Sequence, residues 1–263
     1  MTSPNLQTST DGFNYRLFPA TTGKPSSLIV YLHGANGDTD QLSPEFLREL
    51  QNKIPGADVI AIQAPIKVIK SKRFPDPVGY IWFPYGGSLT SQLETWYTHI
   101  FKHKLTVAEQ IDHFVQHQLE QRGLTDKNLV YYGYSMGGIV ALQTGLTADH
   151  APAAIVARGG SVVPFTKAKN KPPVLLQMGA NDGTFTGTIS APAKLPKKGF
   201  LREAFNAVAK TLSLNHQRSV QRLEAQHVPV TQKVYPDQAH EQNFGAWKEA
   251  VDFMAKALAQ PKP

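Results

Sequence analysis

The 263-residue chain contains no cysteine. That excludes disulfides, thiolate metal sites and a cysteine nucleophile, and leaves the redox compartment undecided. No apolar run is long enough for a membrane-crossing helix, which needs about 18 residues or more. Met1-Thr2-Ser3-Pro4-Asn5 lacks the basic-then-apolar pattern of a secretory leader, so a cytoplasmic, non-integral protein is expected. Phosphate-cradling P-loops, dinucleotide fingerprints and H-E-x-x-H are missing too. His99/His103 and His113/His117 have i,i+4 spacing, but the second pair lies opposite an apolar helical stripe. Both read as solvated faces, and no metal is expected. There is no internal repeat and no domain boundary, so 1–263 reads as one domain.

What is present begins with charge. The net charge of +7 gathers at Lys67–Arg73, Lys167–Lys171 and Lys194–Lys198. Such clusters attract anionic lipid, acyl-phosphate head groups or nucleic acid. They read here as basic surface loops, and without a nucleic-acid-binding motif no nucleic-acid partner is expected. Oligomeric state stays open.

Hydrophobic residues make up 41% of the chain, enough for a sizeable core. Phe13–Phe18 alternates and predicts an edge strand. Ser27–Leu32, Val59–Gln63, Leu129–Tyr132, Ala154–Ala157, Val174–Met178 and Val230–Tyr235 predict further strands. Several are continuously apolar, as in strands buried on both faces of a parallel sheet. Between them, Val107, Ile111, Phe114, Val115 and Leu119 form a helical stripe that Gly123 ends. Trp247, Val251, Met254 and Leu258 form another over Phe244–Leu258. Leu212–Ala225 reads as a helical stretch with His216 and His227 on the surface. The alternation predicts an α/β fold: a mostly parallel central sheet with helices on both faces. Two loop insertions depart from compact spacing, near 67–93 and 184–198. Aromatics crowd the first: Phe74, Tyr80, Trp82, Phe83 and Tyr85. They suit an acyl groove and core packing equally, with Trp82 and Phe83 as candidate substrate contacts.

Gly133-Tyr134-Ser135-Met136-Gly137 is the most informative stretch. An apolar strand precedes it and a small-residue helix follows, the setting of a nucleophile elbow. A serine on so sharp a turn needs neighbours without bulk two positions away on each side, and Gly133 and Gly137 supply that. The hydroxyl is a weak nucleophile and needs a base, with a carboxylate to fix the base's tautomer. On such a sheet the order is serine, acid, histidine, each on a loop after a strand. Asp182 follows the Val174–Met178 strand in Gly179-Ala180-Asn181-Asp182. Asp149 follows a helix instead, and Asp237 lies three residues from the candidate base. His240 ends the loop after Val230–Tyr235, and no other histidine after Asp182 has that placement. An oxyanion needs two backbone donors. Met136 N–H follows the serine directly. Ala35 N–H, in His33-Gly34-Ala35-Asn36-Gly37 after the first long strand, is the second candidate.

Taken together, Leu32-His33-Gly34-Ala35-Asn36-Gly37-Asp38, Gln63-Ala64-Pro65, Trp82-Phe83, Gly133–Gly138, Gly179–Asp182 and His240 resemble the phospholipase/carboxylesterase family of α/β-hydrolases, in the family's order. The resemblance implies an α/β-hydrolase fold and a cofactor-free serine hydrolase that cleaves small-molecule or lipid-like carboxylic esters or thioesters through an acyl-enzyme. It assigns Ser135, Asp182 and His240 as the triad and Ala35 with Met136 as the oxyanion hole. Met136 replaces the family's common glutamine, and Pro84-Tyr85 replaces its acidic residue after Trp-Phe. Asp182 and His240 are 58 positions apart, longer than in a minimal member. Two other readings remain: a serine peptidase of the same fold, and a catalytically silent fold that binds an acyl chain or a protein.

Overall fold

The computed structural model describes residues 4–70, 75–84, 106–182, 203, 215–241 and 244–259. In chain order these form β1 (Gln7–Thr8), β2 (Asn14–Phe18), β3 (Ser27–Leu32), α1 (Pro44–Lys53), β4 (Ala57–Ile62), β5 (Ile66–Lys67) and β6 (Tyr80–Ile81). Then follow α2 (Thr106–Arg122), β7 (Leu129–Tyr134), α3 (Met136–Thr147), β8 (Ala154–Arg158), β9 (Val174–Gly179), α4 (His216–Glu224), β10 (Val230–Tyr235) and α5 (Phe244–Leu258). Eight strands make one sheet in the order β1-β2-β4-β3-β7-β8-β9-β10. The β1–β2 and β2–β4 pairs are antiparallel and the rest are parallel. Strands β5 and β6 form a separate antiparallel pair.

The pleat explains why β3, β4 and β7 are continuously apolar. Leu28, Val30, Leu32, Ile60, Ile62 and Tyr131 point to one face, where Ile111 and Phe114 of α2 and Val140 of α3 cover them. Ile29, Tyr31, Val59, Ala61, Val130 and Tyr132 point to the other, under Phe46 and Leu50 of α1 and Val251 and Met254 of α5. Alternate side chains on a strand face opposite ways, so helices on both sides require apolar residues at every position. Burying each large aliphatic side chain contributes about 1.5–3 kcal/mol.

Helix α1 starts where Ser43 Oγ accepts from the Glu45 and Phe46 N–H groups, with Pro44 in the first turn. Such a cap contributes on the order of 1 kcal/mol. At the other end of α2, Arg122 Nε bonds Asp58 Oδ2 at 2.8 Å, and Asp58 Oδ1 accepts Ala20 N–H at 2.8 Å. This largely buried pair ties the helix to the start of β4. Among the described residues, no helix is long and apolar enough to cross a membrane.

Most predicted strands lie within two residues of their observed limits. The surface placement of His216 is corrected. His216, Ser219 and Leu223 form the inward face of α4, and His216 is 5% exposed. Asn215 caps that helix by accepting Arg218 N–H at 2.7 Å. His227 is exposed, as expected. The 184–198 insertion with Lys194, Lys197 and Lys198 lies outside the described residues, as do His99, His103, Phe74 and Tyr85.

Candidate active site

The parallel strands bring their carboxyl ends to one edge of the sheet, where ligands of open α/β sheets bind. Ser135 stands at that edge between β7 and α3, with φ 54° and ψ −119°. A non-glycine residue at positive φ is costly and persists only when its surroundings enforce it. Here they do. A Cβ on Gly133 would strike the Gly137 carbonyl, and one on Gly137 would strike the Leu32 carbonyl. The elbow thus packs backbone against backbone. Ser135 N–H donates to Arg158 O at 2.8 Å, which fixes the turn to β8.

The loops after β9 and β10 are bound to each other. Ala180 N–H donates to Tyr235 O at 2.8 Å and Asn181 N–H to Gln238 O at 2.9 Å. This brings Asp182, which is 2% exposed, to His240. Asp182 Oδ2 lies 2.6 Å from His240 Nδ1, and His240 Nε2 lies 2.8 Å from Ser135 Oγ. A carboxylate only accepts, so Nδ1 carries the imidazole proton and Nε2 accepts from the serine hydroxyl. Three side chains distant in sequence form one hydrogen-bonded relay.

Residues that sequence reading overlooks hold His240 in place. Tyr134 Oη donates to His240 O at 2.8 Å, and its ring stacks on the imidazole with centroids 5.3 Å apart. The Arg158 guanidinium, 1% exposed, donates to Glu241 O through Nε at 3.0 Å and Nη2 at 2.8 Å. Nη2 also reaches Gln238 Oε1 at 2.8 Å, and the guanidinium lies 5.1 Å from the Tyr235 ring centroid. Burial pulls its pKa below the ordinary arginine value, a shift opposed by nearby phenols and Asp182. Gly159 follows with φ 60°, and a Cβ there would sit 2.8 Å from His240 Cε1. Only glycine leaves room for the imidazole. One signal for this cluster stood in the sequence: a lone arginine ending an apolar strand, followed by Gly159-Gly160.

The loop after β3 carries Ala35. Neither Ala35 N–H nor Met136 N–H has a hydrogen-bond partner among the described residues, the condition expected of donors kept for a ligand. Gly34 N–H is taken by Gln41 Oε1 at 3.0 Å. Asn36 Oδ1 accepts Val78 and Gly79 N–H at 3.0 and 3.2 Å. Trp82 is 1% exposed, and its indole N–H donates to His33 O at 2.8 Å. Trp82 therefore braces the Ala35 loop from within the core and presents no face to a substrate, which corrects the first of the two aromatic assignments. Phe83 is partly buried against the same core and keeps some surface.

His33 beneath this loop is fully buried and neutral. Its Nε2 accepts Ala64 N–H at 3.0 Å, so Nδ1 carries the proton and donates to Gly34 O at 2.7 Å. Burial lowers its pKa from 6.5 to about 4, against weaker opposing contributions from Gly34 O and Asp38. The unfolded chain takes up this proton near pH 6.5 and the folded chain near 4. Between those values the unfolded state binds more protons, so stability present above pH 6.5 is lost as pH falls. A gap of this size amounts to about 3 kcal/mol, at roughly 1.4 kcal/mol per pH unit. His216, also lowered to about 4 by burial first and Arg158 second, acts in the same direction. Urea unfolding between pH 6.5 and 5 should be shallower in pH for His33→Gln than for wild type by about one proton's slope. Equal slopes would refute the assignment.

Comparison with known proteins was made on this geometry. Residues 19–186 match the family model described as Phospholipase/Carboxylesterase. Ser135 and Asp182 lie inside that match and His240 beyond it. No curated protein matches the chain. Among solved structures, esterase PE8 is 21% identical with a TM-score of 0.69, covering 93% of this chain and 99% of its own. A carboxylesterase from Mesorhizobium loti is 17% identical with a TM-score of 0.63, covering 97% and 99%. The Bacillus cereus carboxylesterase is 16% identical with a TM-score of 0.61, covering 93% and 94%. At these identities the structural neighbours establish the α/β-hydrolase fold. With well over half of its length matched by the family model, the chain belongs to the phospholipase/carboxylesterase family, a membership that supports ester hydrolysis.

Proposed function

We propose that the protein is a serine hydrolase of carboxylic esters or thioesters, working through an acyl-enzyme with Ser135, His240 and Asp182 as its triad. The observation that carries this reading is the relay Asp182 Oδ2–His240 Nδ1 at 2.6 Å and His240 Nε2–Ser135 Oγ at 2.8 Å. Ser135 Oγ attacks the acyl carbonyl carbon while His240 Nε2 takes its proton. The carbonyl oxygen becomes an oxyanion, which Ala35 and Met136 N–H receive at the start of α3. A helix N-terminus favours that negative charge. Losing one such donor costs about 10²–10³ in kcat. The intermediate collapses, the bond to the leaving oxygen or sulfur breaks, and His240 returns the proton to the leaving group. Water then attacks the Ser135 ester with His240 again as base, releasing the acid and restoring the serine. Asp182 holds the imidazole in the tautomer with its proton on Nδ1 and stabilises the imidazolium. Every proton in this cycle moves between side chains, substrate and water, so the reading includes no cofactor.

The test is covalent. A fluorophosphonate should label the folded protein once, with the adduct on the peptide containing Ser135. A folded protein that takes no label would favour the catalytically silent fold.

A further inference from the structure

A second cluster of chemistry-bearing side chains stands apart from the triad. Asp11 occupies the turn between β1 and β2, and His113 and His117 lie one turn apart on α2. Asp11 Oδ1 is 2.9 Å from His113 Nδ1, and Oδ2 is 3.2 Å from His117 Nδ1. The two imidazole rings meet edge-on, with centroids 5.1 Å apart. One ligand atom from each of the three residues falls within 4.8 Å of the others. Metal–nitrogen and metal–oxygen bonds of about 2.0–2.2 Å place neighbouring donor atoms about 3.0–3.5 Å apart. The two carboxylate–imidazole contacts, each to a different Asp11 oxygen, are close to that spacing, and the three donors together lie within 4.8 Å.

The cluster is rigid for reasons independent of any ion. Ser9 N–H donates to Phe13 O at 2.8 Å, Gly12 N–H to Ser9 O at 3.0 Å, and Phe13 N–H to Ser9 Oγ at 3.1 Å. Those bonds fix the turn that presents Asp11. Phe13 and Tyr15 pack on Phe114, the residue after His113, with centroids 5.7 and 5.3 Å away. The hairpin and the helix are thus locked together beside the three donors. The Asp11 side chain is 14% exposed, while those of His113 and His117 are 69% and 46% exposed. Beside them opens a cleft of about 270 Å³ lined by Asp11, Glu109, Gln110 and His113. It gives an ion a way in and space for solvent ligands.

We propose that Asp11, His113 and His117 form a binding site for a divalent transition-metal ion of the zinc class, clasping the β1–β2 hairpin to α2. Two imidazole nitrogens and a carboxylate, without thiolate, suit Zn²⁺, Ni²⁺ or Cu²⁺ and not Mg²⁺ or Ca²⁺. Because Asp11 comes from the hairpin and both histidines come from the helix, the ion cross-links two elements and stabilises the folded state by mass action.

Calorimetric titration of metal-stripped full-length protein with Zn²⁺ tests this. Wild type should take up one equivalent at micromolar Zn²⁺ and gain in Tm, with no response to Mg²⁺ or Ca²⁺. Losing even an outer partner of a metal ligand costs about 10–100-fold in affinity, so His113→Ala/His117→Ala should lose at least that. Asp11→Asn keeps the turn and should also weaken binding roughly tenfold or more. Ester hydrolysis without metal should be unchanged in both variants, which separates this site from the triad. No uptake by wild type, or undiminished uptake by both variants, would overturn the proposal.

Discussion

Ser135→Ala is expected to lower kcat for p-nitrophenyl ester hydrolysis by about 10⁴–10⁶-fold, while Tm and circular dichroism stay near wild type. The upper figure corresponds to roughly 8 kcal/mol of lost transition-state stabilisation. On the proposed mechanism the loss is large because a triad acts as a unit: without the hydroxyl, His240 and Asp182 would have nothing to activate. Any residual rate would come from the Ala35 and Met136 donors acting on substrate attacked directly by water. The fold should tolerate the change. Alanine keeps the Cβ that sets the steric cost of φ 54° at this position, and the bond from residue 135 N–H to Arg158 O does not involve the side chain. Only the 2.8 Å bond to His240 Nε2 is lost. Wild-type turnover in the purified variant would remove serine catalysis from consideration.

How much of this was legible in the sequence depends on whether a residue's role is local. Ser27–Leu32, Val230–Tyr235 and Phe244–Leu258 are read with the limits the structure gives them. The first carries a continuous apolar run and the last a helical stripe, while Val230–Tyr235, largely exposed, has β-branched and aromatic residues at its ends. The convergence of Ser135, Asp182 and His240 has a related reason: each lies on a loop after a strand, and parallel strands end on one edge. Helix α1 goes unread although Ser43-Pro44-Glu45 is a strong helix start. His216 is misplaced because α4 buries one polar face, and polarity normally signals solvent. Trp82 is ambiguous in sequence, since an aromatic in a loop packs a core as readily as it lines a groove. Asp11 and His113, 102 positions apart, meet only through tertiary packing, so the i,i+4 histidine pair looks like a solvated helix face on its own.

Arg158 is the clearest case of a role that local sequence conceals, and it carries the second large expectation. A guanidinium buried to 1% exposure is expensive, and among the described residues Nη1 has no hydrogen-bond partner. Its return on that cost is geometric. The backbone carbonyl of Arg158 holds the Ser135 turn, and its side chain holds Gln238 and Glu241 on either side of His240. One residue thus ties the Ser135 turn to the loop that carries His240. In Arg158→Met the carbonyl bond stays and the volume is roughly kept, but the loop loses three hydrogen bonds. A displacement of about 1 Å in a reacting group can cost on the order of 10² in rate. We therefore expect kcat to fall by about 10²–10³-fold with KM within about twofold, since loop 238–241 orients the base. Stability should suffer less than catalysis, because replacing a buried ion by an apolar side chain of similar size is often nearly neutral. Arg158→Lys, with charge but without the fork that reaches two acceptors, should recover only part of the rate. A folded methionine variant with wild-type kcat would show that the loop keeps His240 in place without the guanidinium, leaving Tyr134 and the backbone bonds to Ala180 and Asn181 as sufficient supports.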